Sequence, residues 1–142
     1  MNIKLFIDAS NLIAGRLASY AAKQVLQGNS VDIVNSEKAV ISGSKEFLVS
    51  EYRQRLQRGM PKTGPFYYRI EDRFLKRMIR GMIYYKRPRG SLAFKRVKCH
   101  IGIPDSLKSQ KFQTLPEASL RNLKNPRYLT IKEICQIMGK KE

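Results

Sequence analysis

The side chains best suited to chemistry in this sequence are cations and aromatic rings that occur side by side. The stretch RMIRGMIYYKRPRG, residues 77–90, carries five cations, two adjacent tyrosines and no carboxylate. An arginine guanidinium can hold a phosphate with two hydrogen bonds and can also stack on a base. Tyrosine rings stack on unpaired bases in the same way. These residue types, so closely spaced, predict contact with a polyanion.

A second candidate chemistry is metal-dependent cleavage of RNA. The stretch LFIDASN places Asp8 at the end of an apolar run with Asn11 three residues on, which resembles the beginning of PIN-like metal-dependent nucleases. Such a site needs several carboxylates that converge on Mg²⁺ or Mn²⁺, and the spacing of the remaining acidic residues does not ensure convergence. We favour the simpler interpretation that Asp8 ends a strand or starts a helix. The other carboxylates available to a metal site are Asp32, Glu37, Glu46, Glu51, Glu71 and Asp72.

Other reactive motifs are scarce. Cys99 and Cys135 form no CxxC motif, and a single histidine adds too few ligands for a zinc site. Cys99 and His100 are neighbours, but neighbouring residues of a strand point to opposite faces of the sheet. The sequence also lacks a glycine-rich phosphate loop, HExxH and GxSxG. We expect two buried thiols, no catalytic residue, no metal, no cofactor and no small-molecule substrate.

The net charge of +17 is concentrated in the middle of the chain. Residues 1–52 hold 5 cations and 5 anions, residues 53–98 hold 15 and 2, and residues 99–142 hold 8 and 4. A surface that only has to be soluble mixes both signs, so this cationic belt, residues 53–98, indicates a polyanionic partner. An anionic membrane is the alternative to RNA, but the basic helix of the belt has no Trp and the core needs its apolar side. We therefore favour RNA.

No segment predicts a membrane span or an export signal. The longest apolar runs fall well short of the roughly 20 residues that cross a bilayer, and the beginning MNIKLFIDAS lacks the apolar stretch of a signal peptide. We expect a soluble, intracellular protein.

The elements that must position the belt begin with a βα unit. IKLFID, residues 3–8, has the composition of a buried strand. A helix should follow that Ser10 or Asn11 caps and Gly28 ends. The helical pattern is an apolar residue at every fourth position: Ile13, Leu17, Ala21 and Val25.

Two further strands and a helix complete the first part of the chain. SVDIVN, residues 30–35, predicts a strand parallel to the first. AVISG, residues 39–43, predicts a third short strand or a hairpin. Residues 44–58 predict an amphipathic helix that ends at Gly59. Residues 1–58 are then a neutral α/β body.

Residues 59–98 are expected to supply RNA-facing loops and a helix. Two prolines and two glycines predict an irregular loop over residues 59–69. Residues 70–84 predict a helix, after which Pro88 and Gly90 should break the chain before one more helical turn. The apolar side of the helix comprises Phe74, Leu75, Met78, Ile79, Met82 and Ile83, and its cationic side comprises Arg73, Lys76, Arg77 and Arg80.

The rest of the chain, 99–142, predicts a strand, an irregular segment and a C-terminal helix. VKCHIGI begins that strand at Val97 and Pro104 stops it, and the segment that follows is polar. In TIKEICQIMGKK, Thr130 and Glu133 fit a capping box, and Gly139 fits a C-terminal stop.

Three stretches of the chain resemble one known family. IDASNLIAGRLAS, GPFYYRIEDRFLKRMIRGMIYYKRPRG and VKCHIGIP together resemble the universal large-subunit ribosomal protein thirteen family in its archaeal and eukaryotic form. The resemblance runs from residue 3 to about residue 104 and returns in YLTIKEICQIMG. Family members usually carry Pro in place of Tyr84, and an Ala-Pro pair in place of Ile70 and Glu71.

The resemblance implies both a fold and a function. The fold is a single domain, residues 1–142, with three α/β/α layers around a mostly parallel four-stranded sheet and with basic loop and helix extensions. The function is that of a structural constituent of the large ribosomal subunit without enzymatic activity, located in the cytoplasmic ribosome. Its partners are the large-subunit (23S-type) rRNA and neighbouring ribosomal proteins. The alternatives are a PIN-like nuclease and a basic RNA-binding regulator outside the ribosome.

Residues of three types are expected to contact RNA. Glycines at 81 and 90 would permit close approach of the two backbones. The aromatic rings would stack on bases, although for any one ring we favour the simpler interpretation that it anchors a loop to the core. The expected cations are Arg16, Lys62, Arg69, Arg73, Lys76, Arg77, Arg80, Lys86, Arg87, Arg89, Lys95 and Arg96; the rings are Tyr67, Tyr68, Tyr84 and Tyr85; the glycines are Gly81 and Gly90.

Overall fold

The computed structural model describes residues 2–140 as an α/β fold with ten regular elements, several of them joined by short 3-10 turns. Strands and helices alternate at the start of the chain, whereas helices dominate its centre. In chain order the elements are β1 (Lys4–Asp8), α1 (Ala14–Leu26), β2 (Ser30–Val34), β3 (Val40–Ser42), α2 (Lys45–Gln57), α3 (Glu71–Gly81), α4 (Pro88–Lys95), β4 (Val97–Cys99), β5 (Tyr128–Thr130) and α5 (Ile131–Ile137).

A parallel three-stranded sheet forms the centre of the fold, in the order β1-β2-β4. β1 pairs with β2 from Lys4 opposite Ser30 to Asp8 opposite Val34, as the βα unit predicts. The middle strand β2 is buried almost throughout, as is typical of a parallel strand that is covered on both faces. Its one carboxylate, Asp32, is buried and pairs with Lys4 at 3.1 Å.

The expected four-stranded sheet is wrong. β3 leaves the parallel sheet and pairs antiparallel with β5, with Val40 opposite Thr130. The chain turns away because Asn35 adopts a left-handed conformation, with φ 55°, and a 3-10 turn follows it. β5 lies at the end of the segment that we expected to be irregular. The sequence did not predict this strand, because three residues are too few to show an alternating pattern.

Helix α1 begins later than the sequence predicts. Ser10 and Asn11 do not cap it, because Asn11 is left-handed (φ 57°) and Ile13 occupies the N-cap position without a side-chain hydrogen bond. Residues 12 and 13 instead form bridges with Ser119 and Val40. The helix ends as expected, with Gly28 at φ 100° just beyond it. The buried face of α1 is rich in alanine and lies against β2, α3 and α4.

The basic helix is shorter than expected, and a second helix follows it. α3 ends at Gly81, so Met82 is 45% exposed and does not join the apolar face. Pro88 does not break the chain but occupies the first turn of α4, where its missing N–H is not needed and its φ already suits a helix. The glycine at position 90 lies inside α4. The strand predicted over residues 97–103 is shorter than expected, because only β4 (Val97–Cys99) forms a strand there.

Three apolar residues anchor α3 in the core. Leu75, Ile79 and Ile83 are all buried, and α3 contacts α1, α5 and β4. At the start of the helix Glu71 is 1% exposed, and both of its carboxylate oxygens accept hydrogen bonds from Lys140 Nζ, at 2.6 and 2.8 Å. These hydrogen bonds raise the pKa of Lys140. The C-terminal end of the described chain is thereby tied to the first turn of α3.

Helix α5 confirms its predicted ends. Thr130 Oγ1 accepts a hydrogen bond from Glu133 N, and Glu133 Oε2 accepts one from Thr130 N, which completes the capping box. Beyond the helix, Gly139 adopts φ 92°.

We predict that truncating the core side of α3 destabilises the fold. Leu75→Ala should lower the free energy of unfolding by about 2–5 kcal/mol, because it removes buried methyl groups and leaves a cavity. The matched change Leu92→Ala, at a side chain that is 56% exposed on α4, should change it by less than about 0.5 kcal/mol. Urea denaturation followed by circular dichroism measures both, and equal effects would contradict the assigned orientation of α3.

Candidate nucleic-acid interface

A cationic cleft lies between α3 and α4. It encloses about 240 Å³. Four cations one helical turn or less apart along α3 form one wall, and two aromatic rings complete the lining. The residues of this cationic cleft are Tyr68, Arg73, Lys76, Arg77, Arg80 and Phe94. The structure thus brings together the whole cationic side that the sequence predicts for the basic helix.

No carboxylate of residues 2–140 lines the cleft. The two acidic residues of the belt both lie in the first turn of α3, where their negative charge interacts favourably with the positive end of the helix dipole. Glu71 is buried against Lys140, and Asp72 Oδ1 accepts a hydrogen bond from the backbone N–H of Arg73 at 2.8 Å. Within residues 2–140, none of the four cleft cations forms a salt bridge. Their charges therefore remain available to an anion from outside the chain.

Aromatic rings support two of the cleft cations. Lys76 Nζ lies 5.1 Å from the centre of the Phe94 ring, and the Arg80 guanidinium lies 4.4 Å from that of Tyr85. Such contacts attract a cation through the ring quadrupole. Contact with a ring uses the face of the guanidinium, so its in-plane N–H groups remain able to donate hydrogen bonds. Among these, Nε of Arg80 is buried and has no hydrogen-bond partner in the described part of the chain.

The four tyrosines named from the sequence occupy different positions. Tyr68 lines the cleft, and Tyr67 is exposed beside it in the loop. Tyr84 is 83% exposed in the turn between α3 and α4. Tyr85 is half-buried under Arg80, so it supports a cation. The positions of these two rings therefore differ: Tyr85 contacts a cation of the cleft, whereas Tyr84 is exposed.

The two glycines also differ. A side chain at Gly81 would meet no atom within 4 Å, so that position is open to an approaching backbone. Gly90 is buried, and a Cβ there would lie 1.9 Å from the carbonyl oxygen of Tyr84. The close approach at Gly90 is therefore made within the chain, and it folds the turn back onto α4.

The remaining predicted cations lie outside the cleft, and three of them bind the backbone of this chain. Arg96 Nη1 donates to Val25 O at 2.8 Å and Arg89 Nη2 to Leu26 O at 3.4 Å, so both satisfy carbonyls at the end of α1. Arg16 Nη1 donates to Glu117 O at 3.1 Å. The others are exposed: Lys62 and Arg69 in the loop before α3, Lys86 and Arg87 in the turn before α4, and Lys95 at the end of α4.

Two residues in and beside the cleft were not predicted from the sequence. Phe94 supports Lys76, and its signal was an aromatic residue directly before two cations in SLAFKR. Lys98 of β4 shares a second, shallow cavity of about 260 Å³ with Arg73 and Lys76. No helical pattern could place Lys98 there, because β4 meets α3 only through the tertiary fold.

The geometry around Asp8 accounts for this residue without a metal. Asp8 Oδ1 accepts hydrogen bonds from Asn35 Nδ2 and from the backbone N–H of Ser10, both at 3.0 Å. Burial alone would raise the pKa of Asp8, but these hydrogen bonds outweigh burial and hold it below its usual value. Among residues 2–140, no three His, Cys, Asp or Glu side chains come together as a metal site. Asp8 thus joins the ends of β1 and β2.

Both cysteines are free thiols; Cys135 is buried as expected, whereas Cys99 is half-buried. Burial raises the pKa of Cys99 and that of Cys135 to about 12. A thiol with so high a pKa carries almost no thiolate near neutral pH, so it is a poor nucleophile. The pair Cys99 and His100 therefore lacks an activated sulfur.

Comparison with known proteins places these features in context. The family model described as "Ribosomal protein L13" matches residues 3–106. The chain is 47% identical over 136 residues to "Large ribosomal subunit protein uL13" of Methanosarcina barkeri, which covers 95% of this chain and 97% of that protein. Proteins of the same name from Methanococcoides burtonii and Methanopyrus kandleri are 44% and 40% identical over 135 residues, and cover 95% and 94% of this chain and 97% and 85% of their own lengths. The resemblance drawn from the sequence is confirmed.

None of the helices between residues 2 and 140 combines the length and the apolar character that crossing a bilayer requires.

We predict that Asp8 contributes to stability and not to RNA cleavage. Asp8→Ala should lower the free energy of unfolding at pH 7 by about 1–3 kcal/mol, because the Asn35 and Ser10 donors lose their acceptor. Since the pKa of Asp8 is lowered by folding, its contribution is complete above the unfolded-state pKa and is lost as the pH falls through the folded-state value. The difference between the two proteins should therefore shrink in acid.

Asp105→Ala is the matched control, because that carboxylate is exposed. It should have an effect near zero. Incubation of both variants and the parent protein with RNA and Mn²⁺ should give the same background of cleavage. Cleavage that only Asp8→Ala abolishes would support a nuclease instead.

We also predict that both thiols are protected by the fold. Ellman's reagent at pH 8 should modify Cys99 and Cys135 slowly in the native protein, because burial keeps them protonated, and quickly after denaturation in guanidinium chloride. Rapid modification of a native thiol would contradict the buried positions.

Proposed function

Because the chain belongs to the ribosomal protein L13 family, we propose that it is a structural constituent of the large ribosomal subunit that binds and stabilises large-subunit rRNA. The observation that carries this proposal is the cationic cleft with its four unneutralised cations. Its partners are then the 23S-type rRNA and the neighbouring proteins of the subunit, and its location is the cytoplasmic ribosome.

We assign the phosphate contacts first to Arg73, Lys76, Arg77 and Arg80. They form one row along α3, and the lining of their cleft includes no carboxylate of the described chain, although Asp72 borders a neighbouring cavity with Arg73 and Lys76. The exposed cations of the flanking loops, Lys62, Arg69, Lys86, Arg87 and Lys95, extend the same surface. Phosphate contacts position a protein on RNA, whereas base contacts specify sequence. We assign the latter to Tyr84, Tyr67 and Tyr68.

Binding should depend mainly on the shape of the folded RNA. The open space at Gly81 allows an RNA backbone to come close to the end of α3. Arg89 and Arg96 contribute mainly by holding the end of α1, and the buried Gly90 by holding the turn before α4. The interface therefore consists of cations that point outward from the fold. Other cations of the belt stabilise the part of the fold that carries them.

The family also bears on the architecture and on activity. We propose that residues 1–142 act as one domain, with helices on both faces of the parallel sheet as three layers. We further propose that the protein has no enzymatic activity, since the carboxylate of Asp8 and the two thiols have structural explanations. A regulator outside the ribosome would share the basic surface, and co-sedimentation with large subunits distinguishes it.

We predict that reversing two outward charges of the cleft abolishes RNA binding and leaves the fold intact. In Arg73→Glu with Arg77→Glu, each phosphate attraction becomes a repulsion, so affinity for large-subunit rRNA should fall at least about 100-fold. The slope of log affinity against log salt should fall by about two. The melting temperature should stay the same or rise, because like charges at helical spacing are relieved.

Lys45→Glu with Lys132→Glu is the matched control, because it changes the net charge equally at exposed first-turn positions of α2 and α5. This control should still co-sediment with large subunits. An equal loss in both double variants would mean that only total charge matters, and unfolding of the cleft variant would make its arginines parts of the scaffold.

A further inference from the structure

The outward face of α1 carries its own set of polar and cationic residues. Arg16, Ser19, Tyr20 and Lys23 follow one another at helical spacing, opposite the alanine-rich face that the core buries. Arg16, Ser19 and Lys23 are exposed, and Tyr20 is half-buried. None of these side chains lines the cationic cleft.

Two cavities meet along this face. The first, of about 650 Å³, lies between α1 and the segment 115–118. The second, of about 480 Å³, lies between α1 and the residues Met82 and Arg89. Both are lined by Ser19 and Lys23, so they adjoin at these two side chains. We call the two adjoining cavities the α1 groove.

The α1 groove has an apolar floor and a cationic rim. Leu115, Pro116 and Ala118 supply apolar atoms next to the ring of Tyr20. Arg16, Lys23 and Arg89 supply three positive charges against the single carboxylate of Glu117.

Hydrogen bonds within the chain use little of the polar capacity of the rim. Arg16 Nη1 donates to Glu117 O at 3.1 Å, and this is the one hydrogen bond of its guanidinium within residues 2–140. Ser19 Oγ donates to Arg16 O at 2.9 Å and keeps its lone pairs. Lys23 forms no salt bridge with any described carboxylate.

This combination fits a nucleotide better than a peptide or a lipid. A flat base can lie on the apolar floor while its phosphate meets the cations, and the volume of each cavity is within the range of about 300–1,000 Å³ typical of ligand sites. A protein partner would need acidic residues opposite all three cations.

We propose that the α1 groove is a second RNA-binding site, which holds an unpaired nucleotide of the large-subunit rRNA at a place separate from the cationic cleft. The protein then joins two segments of RNA. This inference rests on the proposed function, because the RNA is the same. It differs from that function in its residues, since the linings of the groove and the cleft have no residue in common.

Directed hydroxyl-radical probing tests the two sites independently. An iron chelate attached to a single introduced thiol cleaves RNA close to its point of attachment, and the two native thiols should react slowly because burial raises their pKa. The introduced thiols are Ser19→Cys in the α1 groove, Arg77→Cys in the cationic cleft and, as a control, Ser50→Cys on the exposed side of α2. Each protein is assembled with large-subunit rRNA before cleavage.

The expected result is that Ser19→Cys and Arg77→Cys each cleave a discrete set of nucleotides and that the two sets differ. Cleavage from Arg77→Cys with none from Ser19→Cys would overturn the second site and leave the proposed function standing. Absence of cleavage from both would overturn the two proposals together. A pattern from Ser19→Cys identical to that from Ser50→Cys would overturn the localisation, and so would crosslinking of this position to protein alone.

A charge reversal supplies a second measurement. Lys23→Glu should weaken binding to large-subunit rRNA at least about 10-fold, the effect of one charge-assisted contact, and should reduce the salt slope by about one. Lys132→Glu is the matched control on α5 and should have a much smaller effect. Equal affinities of Lys23→Glu and Lys132→Glu would contradict a phosphate at the rim of the α1 groove.

Discussion

The rest of the structure depends on the burial of one face of α3, because this burial must outweigh the repulsion between the cations on the opposite face. Like-charged neighbours at helical spacing oppose the isolated helix by a few tenths of a kcal/mol per pair. Burying a Leu or Ile side chain contributes about 1.5–3 kcal/mol, and Leu75, Ile79 and Ile83 are all buried. Packing therefore outweighs repulsion, and the four cations stand in one row without any need of a carboxylate. A protein whose core were weaker at this helix would require neutralising residues there and would lose the surface that we assign to RNA.

The cationic belt consequently divides into two kinds of residue. Arg89 and Arg96 donate to carbonyls at the end of α1, where positive charge also interacts favourably with the helix dipole. Arg96 therefore belongs to the scaffold, whereas Arg89 both supports α1 and lines the α1 groove. Arg73 and Arg77 are exposed and have no partner among the described residues. Glu71 shows the converse, because a buried carboxylate accepts both of its hydrogen bonds from Lys140 at the far end of the chain. Total charge thus says less about binding than the direction in which each charge points.

Local sequence patterns predicted a large part of the fold and of the cationic cleft. The βα unit, the two sides of α3 and the capping box of Thr130 and Glu133 all depend on neighbours within a few residues, and the structure confirms them. The pairing of β3 with β5 depends on residues far apart, and the position of Pro88 in α4 depends on a turn that Gly90 closes, so neither was predicted. The cations of the cleft came from helical spacing alone. The positions of Phe94 in the cleft and of Lys98 in the neighbouring cavity could not be predicted in this way, because both residues belong to other elements.

The antiparallel pair of β3 and β5 also sets an order of events during synthesis. β3 is complete by Ser42, but its partner begins at Tyr128, and the helix that follows that partner carries the chain to Lys140, the residue that neutralises Glu71. Contacts of such long sequence separation form late, since the intervening chain must first be closed into a loop. A nascent chain therefore exposes the strongly basic middle segment before its last support exists. Synthesis of residues 128–140, rather than emergence of the basic segment, is therefore the step that supplies the last contacts of α3.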